Sequence, residues 1–165
     1  MKDIYFPISE GKVKSDVMNS FYEHLHTVFT EKNIPISADL FGMTTTNTDD
    51  LGIGQILESA LRNFDYVSPM VYPSHYPPKW NGFANPAANP YDVIKISMQG
   101  AIDKAVAIGI DTDKLRPWLQ DFNMGATYTS AMVRAQITAT EDLGLDSWLM
   151  WDPANTYTES AFLKQ

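Results

Sequence analysis

The sequence contains no cysteine, which excludes disulfides, thiolate nucleophiles and sulfur-ligated metals, and fits an anaerobic cell surface or a cytoplasm equally. Histidine is scarce: His24 and His26 stand two apart on an expected helix and point in different directions, and His75 is far from both. No metal site, and no cofactor, is expected. Positive charge is also short. Twelve Lys and Arg face twenty Asp and Glu, for a formal net charge of -8, and no basic cluster offsets it. Such a chain repels nucleic acid and anionic bilayers. No run approaches the ~20 apolar residues of a membrane span, and Met1-Lys2-Asp3 leads straight into Ile4-Tyr5-Phe6 without an apolar signal region. Membrane insertion is not expected, and the sequence carries no address of its own.

What is present is enough for a core. The 165 residues are 44% hydrophobic and 12% aromatic, which fits a single domain spanning residues 1–165. From Ser15, a good N-cap, Val17, Phe21, Leu25, Val28 and Phe29 recur at helical spacing to about Lys32. Residues 36–41 alternate, with Ile36, Ala38 and Leu40 on one face and Ser37, Asp39 and Phe41 on the other, as a strand does. A Thr/Asn/Asp loop leads to a short helix carrying Ile53, Ile56, Leu57, Ala60 and Leu61. A second strand follows over residues 66–72, stopped by Pro73 and trailed by His75, Tyr76 and Trp80. Residues 81–89 are loop; Asn89-Pro90-Tyr91-Asp92 then opens a helix that ends near Gly109. Residues 115–122 give a third strand, Thr129 and Ser130 cap a helix reaching Gly144, and residues 145–151 give a fourth strand. After a loop, at most one helical turn is expected over residues 158–165.

Strands alternating with helices predict an α/β fold with a parallel sheet. No Gly-rich phosphate loop follows any strand, and the polar and aromatic candidates sit just past strand C-terminal ends. Both an open doubly wound sheet and a (β/α)8 barrel place sites there. Polar or amphipathic residues at Asp39, Ser68, Tyr72, Trp118 and Gln120 alternate with apolar ones, as inward and outward positions of barrel strands do. A whole barrel takes about 250 residues, so this chain holds roughly half of one.

Asp39 is the leading candidate for a substrate-facing carboxylate, being inward and close to its strand's C-terminal end. Tyr72, His75, Trp80, Trp118 and Trp151 combine flat apolar faces with polar tips, the equipment for stacking sugar rings and bonding hydroxyls. Trp148 reads as core. Asp65, Asp111 and Asp113 precede their strands and read as structural.

Four stretches carry a further resemblance: Ser37-Ala38-Asp39-Leu40-Phe41-Gly42, Val67-Ser68-Pro69-Met70-Val71-Tyr72-Pro73-Ser74-His75-Tyr76, Leu115-Arg116-Pro117-Trp118-Leu119-Gln120-Asp121-Phe122 and Trp148-Leu149-Met150-Trp151-Asp152-Pro153. In this order they resemble a bacterial family of glycoside hydrolase-like (β/α)8 barrels of little-characterised activity, found mostly on secreted or surface proteins. The resemblance implies that the four strands are the fifth to eighth of such a barrel, with Ile4-Tyr5-Phe6-Pro7 as the remnant of the fourth, and adds Asp121 to Asp39 as a catalytic candidate. It implies an extracellular or surface location. It departs at the fourth strand, where the family's Phe-Asp-Tyr-x-Arg-Phe-Pro run is replaced: Lys2 stands at the acid's place and Tyr5 at the arginine's. Two readings follow. One is a glycoside hydrolase domain acting on a polysaccharide, incomplete and inactive as this chain alone. The other is a non-catalytic glycan-binding or scaffold module. In either, carbohydrate is the expected ligand, and the open edges of a half-barrel predict self-association or pairing with the missing half.

Overall fold

The computed structural model describes residues 10–162; Ile4-Tyr5-Phe6-Pro7 lies outside them. Helices and strands alternate as α1 (Lys14–Thr30), β1 (Ser37–Phe41), α2 (Leu57–Asn63), β2 (Tyr66–Met70), α3 (Pro90–Ala107), β3 (Trp118–Gln120), α4 (Ser130–Glu141) and β4 (Leu149–Trp151). The four strands form one parallel sheet in the order β1-β2-β3-β4. Each crossover therefore advances one strand in the same direction, and among the described residues the order never reverses, as it does at the switch point of a doubly wound sheet. The fold is α/β, consistent with a partial (β/α) barrel.

Register decides which side chains share a face. Asp39 pairs with Ser68, Met70 with Trp118, and Gln120 with Trp151. With period-two alternation, Leu40, Val67, Val71 and Leu119 point to one side, where they join Leu57, Leu61, Ile94, Met98, Ala101 and Ile137 in a continuous core. Each large apolar side chain fully buried there contributes about 1.5–3 kcal/mol. The opposite side carries Asp39, Ser68, Trp118 and Trp151, and it leaves Phe41, Tyr66 and Trp151 exposed. A parallel sheet is ordinarily covered on both faces; here the helices cover one.

Several elements differ from expectation for local reasons. α1 begins with Val13 as N-cap and no capping side chain, so Ser15 lies inside the first turn. Tyr22, not Phe21, enters the core from α1, its ring edge-on to Phe64 at 5.1 Å, while Phe21 is 52% exposed. Of the expected stripe Val17, Phe21, Leu25, Val28 and Phe29, Leu25 packs on the core, joined by Tyr22 and Met18, whose spacing is equally helical. α2 starts at Leu57 instead of Ile53, because Leu51, Gly52 and Gly54 take left-handed φ angles of 54°, 67° and 85° that no helix continues through. In the third strand only Trp118–Gln120 is laddered. Leu115 makes an isolated bridge to Val67, and Pro117 between them has no N–H to donate. β4 is likewise confined to Leu149–Trp151. Thr129 caps α4 as expected, accepting from the Met132 N–H at 3.3 Å, whereas Asn89 turns its amide back to the Asn85 carbonyl instead of capping α3. The last turn is a short 3-10 helix, Glu159–Ala161.

Candidate functional site

The open face is organised by one long-range hydrogen bond. The Trp118 indole Nε1 donates to Asp39 Oδ1 at 2.9 Å, from β3 to β1, with β2 between them. Neighbouring strands lie about 4.8 Å apart, so the side chains must jointly bridge two spacings. A flat, long indole with a donor on its edge does that. Lying across the middle strand, it roofs Ser68, which is fully buried and, among the described residues, has no hydrogen-bond partner for its hydroxyl. Trp151 stands perpendicular to Trp118, ring centroids 6.0 Å apart, and is 44% exposed at the sheet's edge.

Above this layer, Tyr72 closes the second strand's C-terminal end. It is buried, with its ring edge-on to His75 at 5.1 Å and to Phe122 at 5.6 Å. Burial raises the Tyr72 phenol well above its ordinary pKa, and the negative charge of Asp39 and then Tyr157 raise it further. It is thus a neutral hydroxyl within the field of Asp39. Burial also lowers the His75 pKa from 6.5, so the imidazole is neutral at pH 7. The exposed Asp39 carboxylate thus has Trp118 on it and Tyr72 within its field, with Trp151 against Trp118 and His75 and Phe122 against Tyr72.

Asp121 and Trp80 are engaged by other partners. Asp121 follows directly on the last laddered residue of β3 and is 6% exposed; its carboxylate accepts from the Thr158 N–H at 2.6 Å and the Thr158 hydroxyl at 2.7 Å. Trp80 packs against Tyr76, centroids 4.4 Å apart, and the buried Tyr76 hydroxyl is held by Ser97 of α3 at 2.8 Å. It belongs to the loop that covers α3. Trp148 stacks on Phe162 at 5.9 Å, Asp65 accepts from the Ile36 N–H, Asp111 from the Asp113 N–H and Asp152 from the Ala154 N–H, all structural roles. Tyr157 and Phe122 were not expected at the site. Phe122 sits two residues past Gln120 at a strand end, which is a usable signal; Tyr157 is a loop residue with none.

Among the described residues, no group of three or more His, Asp or Glu side chains is placed to hold a metal ion, and no helix is long and apolar enough to cross a membrane. A groove of about 480 Å³ runs between α1 and α2, lined by Asp16, Asn19, Glu23 and Arg62 among others. It lies in the outer helical layer and holds none of the aromatic residues above.

The His75 environment predicts a pH dependence. Its folded pKa lies below the unfolded 6.5, so as pH falls the unfolded chain takes up the proton first. Stability from this group is complete above about pH 6.5 and is lost toward lower pH. Urea midpoints at about pH 7.5 and pH 5 should therefore differ less in His75→Gln than in the unaltered protein. Equal differences would remove His75 from the account.

No match is found among curated proteins. Residues 1–157 match the model of a family described as "Putative glycosyl hydrolase domain", nearly the full chain, and the protein belongs to that family.

Proposed function

We propose that residues 1–165 form one domain, the C-terminal half of a glycoside hydrolase barrel, its strands being the fifth to eighth, and that its open face binds a polysaccharide. The observation that carries this is the exposed Asp39 carboxylate, held by Trp118, with Trp151 against that indole and Tyr72 within the carboxylate's field, toward the C-terminal side of a parallel sheet. Aromatic faces stack on sugar rings, and neutral phenols and an indole edge bond hydroxyls. Membership of a glycosyl hydrolase family supports the same substrate class.

Hydrolysis ordinarily takes two carboxylates flanking the glycosidic bond, ~5–5.5 Å apart for retention and ~6.5–9.5 Å for inversion. Asp39 is the acid this half offers, as acid, base or nucleophile; Asp121 has both oxygens engaged by Thr158. The second acid then comes from the complementary half, which also covers Phe41, Tyr66 and the outer edges that β1 and β4 present among the described residues. By itself the chain is inactive, and it self-associates or pairs with that half. In the complete barrel, Asp39→Asn is expected to lower sugar release roughly 100-fold or more with the fold retained; an unchanged rate would sink the assignment.

The engagement of Asp121 also favours a second reading, a module that binds glycan without turnover. Titration of tryptophan fluorescence with a soluble polysaccharide, alongside a reducing-end assay, separates the two. Binding without new reducing ends in the complete barrel, weakened about tenfold by Trp151→Ala through lost stacking, would select the module.

A further inference from the structure

The loop after β4 returns to the sheet over residues 152–158, and its own bonds shape it without holding it to the domain. Asp152 accepts from the Ala154 N–H at 2.6 Å, its carbonyl from the Asn155 N–H at 3.0 Å, and Asn155 adopts a left-handed φ of 56°. One residue of another strand's end bonds to both ends of it, and beyond the return Ala161 and Phe162 pack against α4 and Trp148 while Ser160 meets Ser130 at 3.0 Å. The Asp121 N–H donates to the Trp151 carbonyl at 2.9 Å, where the loop leaves β4. The Asp121 carboxylate takes the N–H and hydroxyl of Thr158, where the loop returns. These are short, charge-assisted bonds at a buried acid. The residue just before that anchor is Tyr157, and the residue just after Asp121 is Phe122, whose ring meets Tyr72 edge-on at 5.6 Å, so the bond to Thr158 holds Tyr157 near the Tyr72 end of the site.

We infer that Asp121 is a positioning residue, a clasp closing the loop between Trp151 and Thr158, and that it thereby sets Tyr157 as one wall of the carbohydrate site around Asp39. This rests on the carbohydrate reading above, but the clasp can be tested without it. A carboxylate can receive both Thr158 donors; an amide at the same place presents one acceptor and one N–H₂ group that opposes them. Without those bonds Tyr157 is held only through the turn that follows it, at Ser160 and Ala161.

The test uses amide hydrogen exchange at Thr158 and the ionisation of Tyr72, followed by NMR with ring-labelled tyrosine, in the full chain. In Asp121→Asn, Thr158 should exchange roughly tenfold faster or more. The Tyr72 titration should move down toward the ordinary phenol value as Tyr157 departs and water enters, with Asp39, His75 and Tyr157 the groups facing it. Thr158→Val, which removes the hydroxyl donor and keeps the N–H, should shift both readouts in the same direction by less, and it serves if Asp121→Asn does not fold. Tyr157→Phe should leave Thr158 exchange unchanged and weaken binding of cellohexaose or maltohexaose. Unchanged Thr158 exchange and Tyr72 titration in the folded Asp121 or Thr158 variants would overturn the clasp. If the unaltered protein binds neither hexaose, the carbohydrate reading fails for those probes, and the exchange and titration data still decide the clasp.

Discussion

Gly42→Ala is expected to cost about 3 kcal/mol or more, a large share of the ~5–15 kcal/mol that holds a domain folded. Gly42 is the residue after β1, and a Cβ there would stand 2.2 Å from the Met70 carbonyl oxygen, 2.8 Å from its carbon and 3.0 Å from the Val71 Cα. All three atoms are backbone of β2's end, so no rotamer change relieves the clash. The strands would have to part just beyond Asp39 and Ser68. Gly109 and Gly144 make the control: their φ angles are left-handed, 69° and 76°, but nothing lies within 4 Å of an added Cβ. Alanine at either meets only the conformational cost, about 1–2 kcal/mol. Chemical denaturation of the three variants should thus rank Gly42→Ala well below the others. A Gly42→Ala midpoint equal to either control would mean that the β1-β2 contact yields more easily than backbone packing allows.

The same contrast explains which parts of the fold were legible in the sequence. Periodicity and a Thr129 cap mark α3 and α4, and alternation marks β1 and its two faces, because these are properties of neighbours in the chain. Tyr22 replacing Phe21 in the core was not legible, since both stripes of α1 are apolar and only the packing against Phe64 separates them. Nor was the close approach at Gly42, which depends on a strand almost thirty residues later. Residues 115–122 read as one unbroken third strand, whereas only Trp118–Gln120 is laddered, and what satisfies Gln120 comes from elsewhere. The Gln136 side chain of α4 accepts from the Gln120 N–H at 2.9 Å and donates to its carbonyl at 2.7 Å.

At the sheet, alternation set Asp39, Ser68, Trp118 and Gln120 on one face, and the parallel register keeps them there, because like-facing positions of adjacent strands converge whatever their separation in sequence. It could not say which partner each would take. Trp118 and Asp39 are 79 residues apart, and Asp121 and Thr158 are 37 apart. Of the cluster His75, Tyr76 and Trp80, His75 turns to Tyr72 while Trp80 packs on Tyr76, whose hydroxyl Ser97 holds to α3. Chain proximity in a loop is a weaker guide than register in a sheet.

Trp118 is the side chain on which the open face depends, and replacing it should show two separable losses. Trp118→Ala removes the bridge over β2, its edge contact with Trp151 and the roof of Ser68. The side chain is half-buried, so the expected loss is about 3 kcal/mol, the low end for a large aromatic. Trp118→Phe keeps an aromatic but is shorter and has no N–H, so Asp39 loses its partner. Since Asp39 is exposed and water replaces the donor, that bond contributes only about 1 kcal/mol. Admission of water to Ser68 gives part of it back. The bond itself is isolated by a cycle of Trp118→Phe, Asp39→Ala and the pair, measured by urea unfolding. The double variant should be less destabilised than the sum of the singles by roughly 0.5–1 kcal/mol. Strict additivity would mean that the indole holds its place by packing alone and that Asp39 is free to orient toward substrate without it. Coupling would mean that the carboxylate proposed to meet the sugar is oriented before the sugar arrives, and that Trp118→Phe disturbs Asp39 as well as the stacking surface.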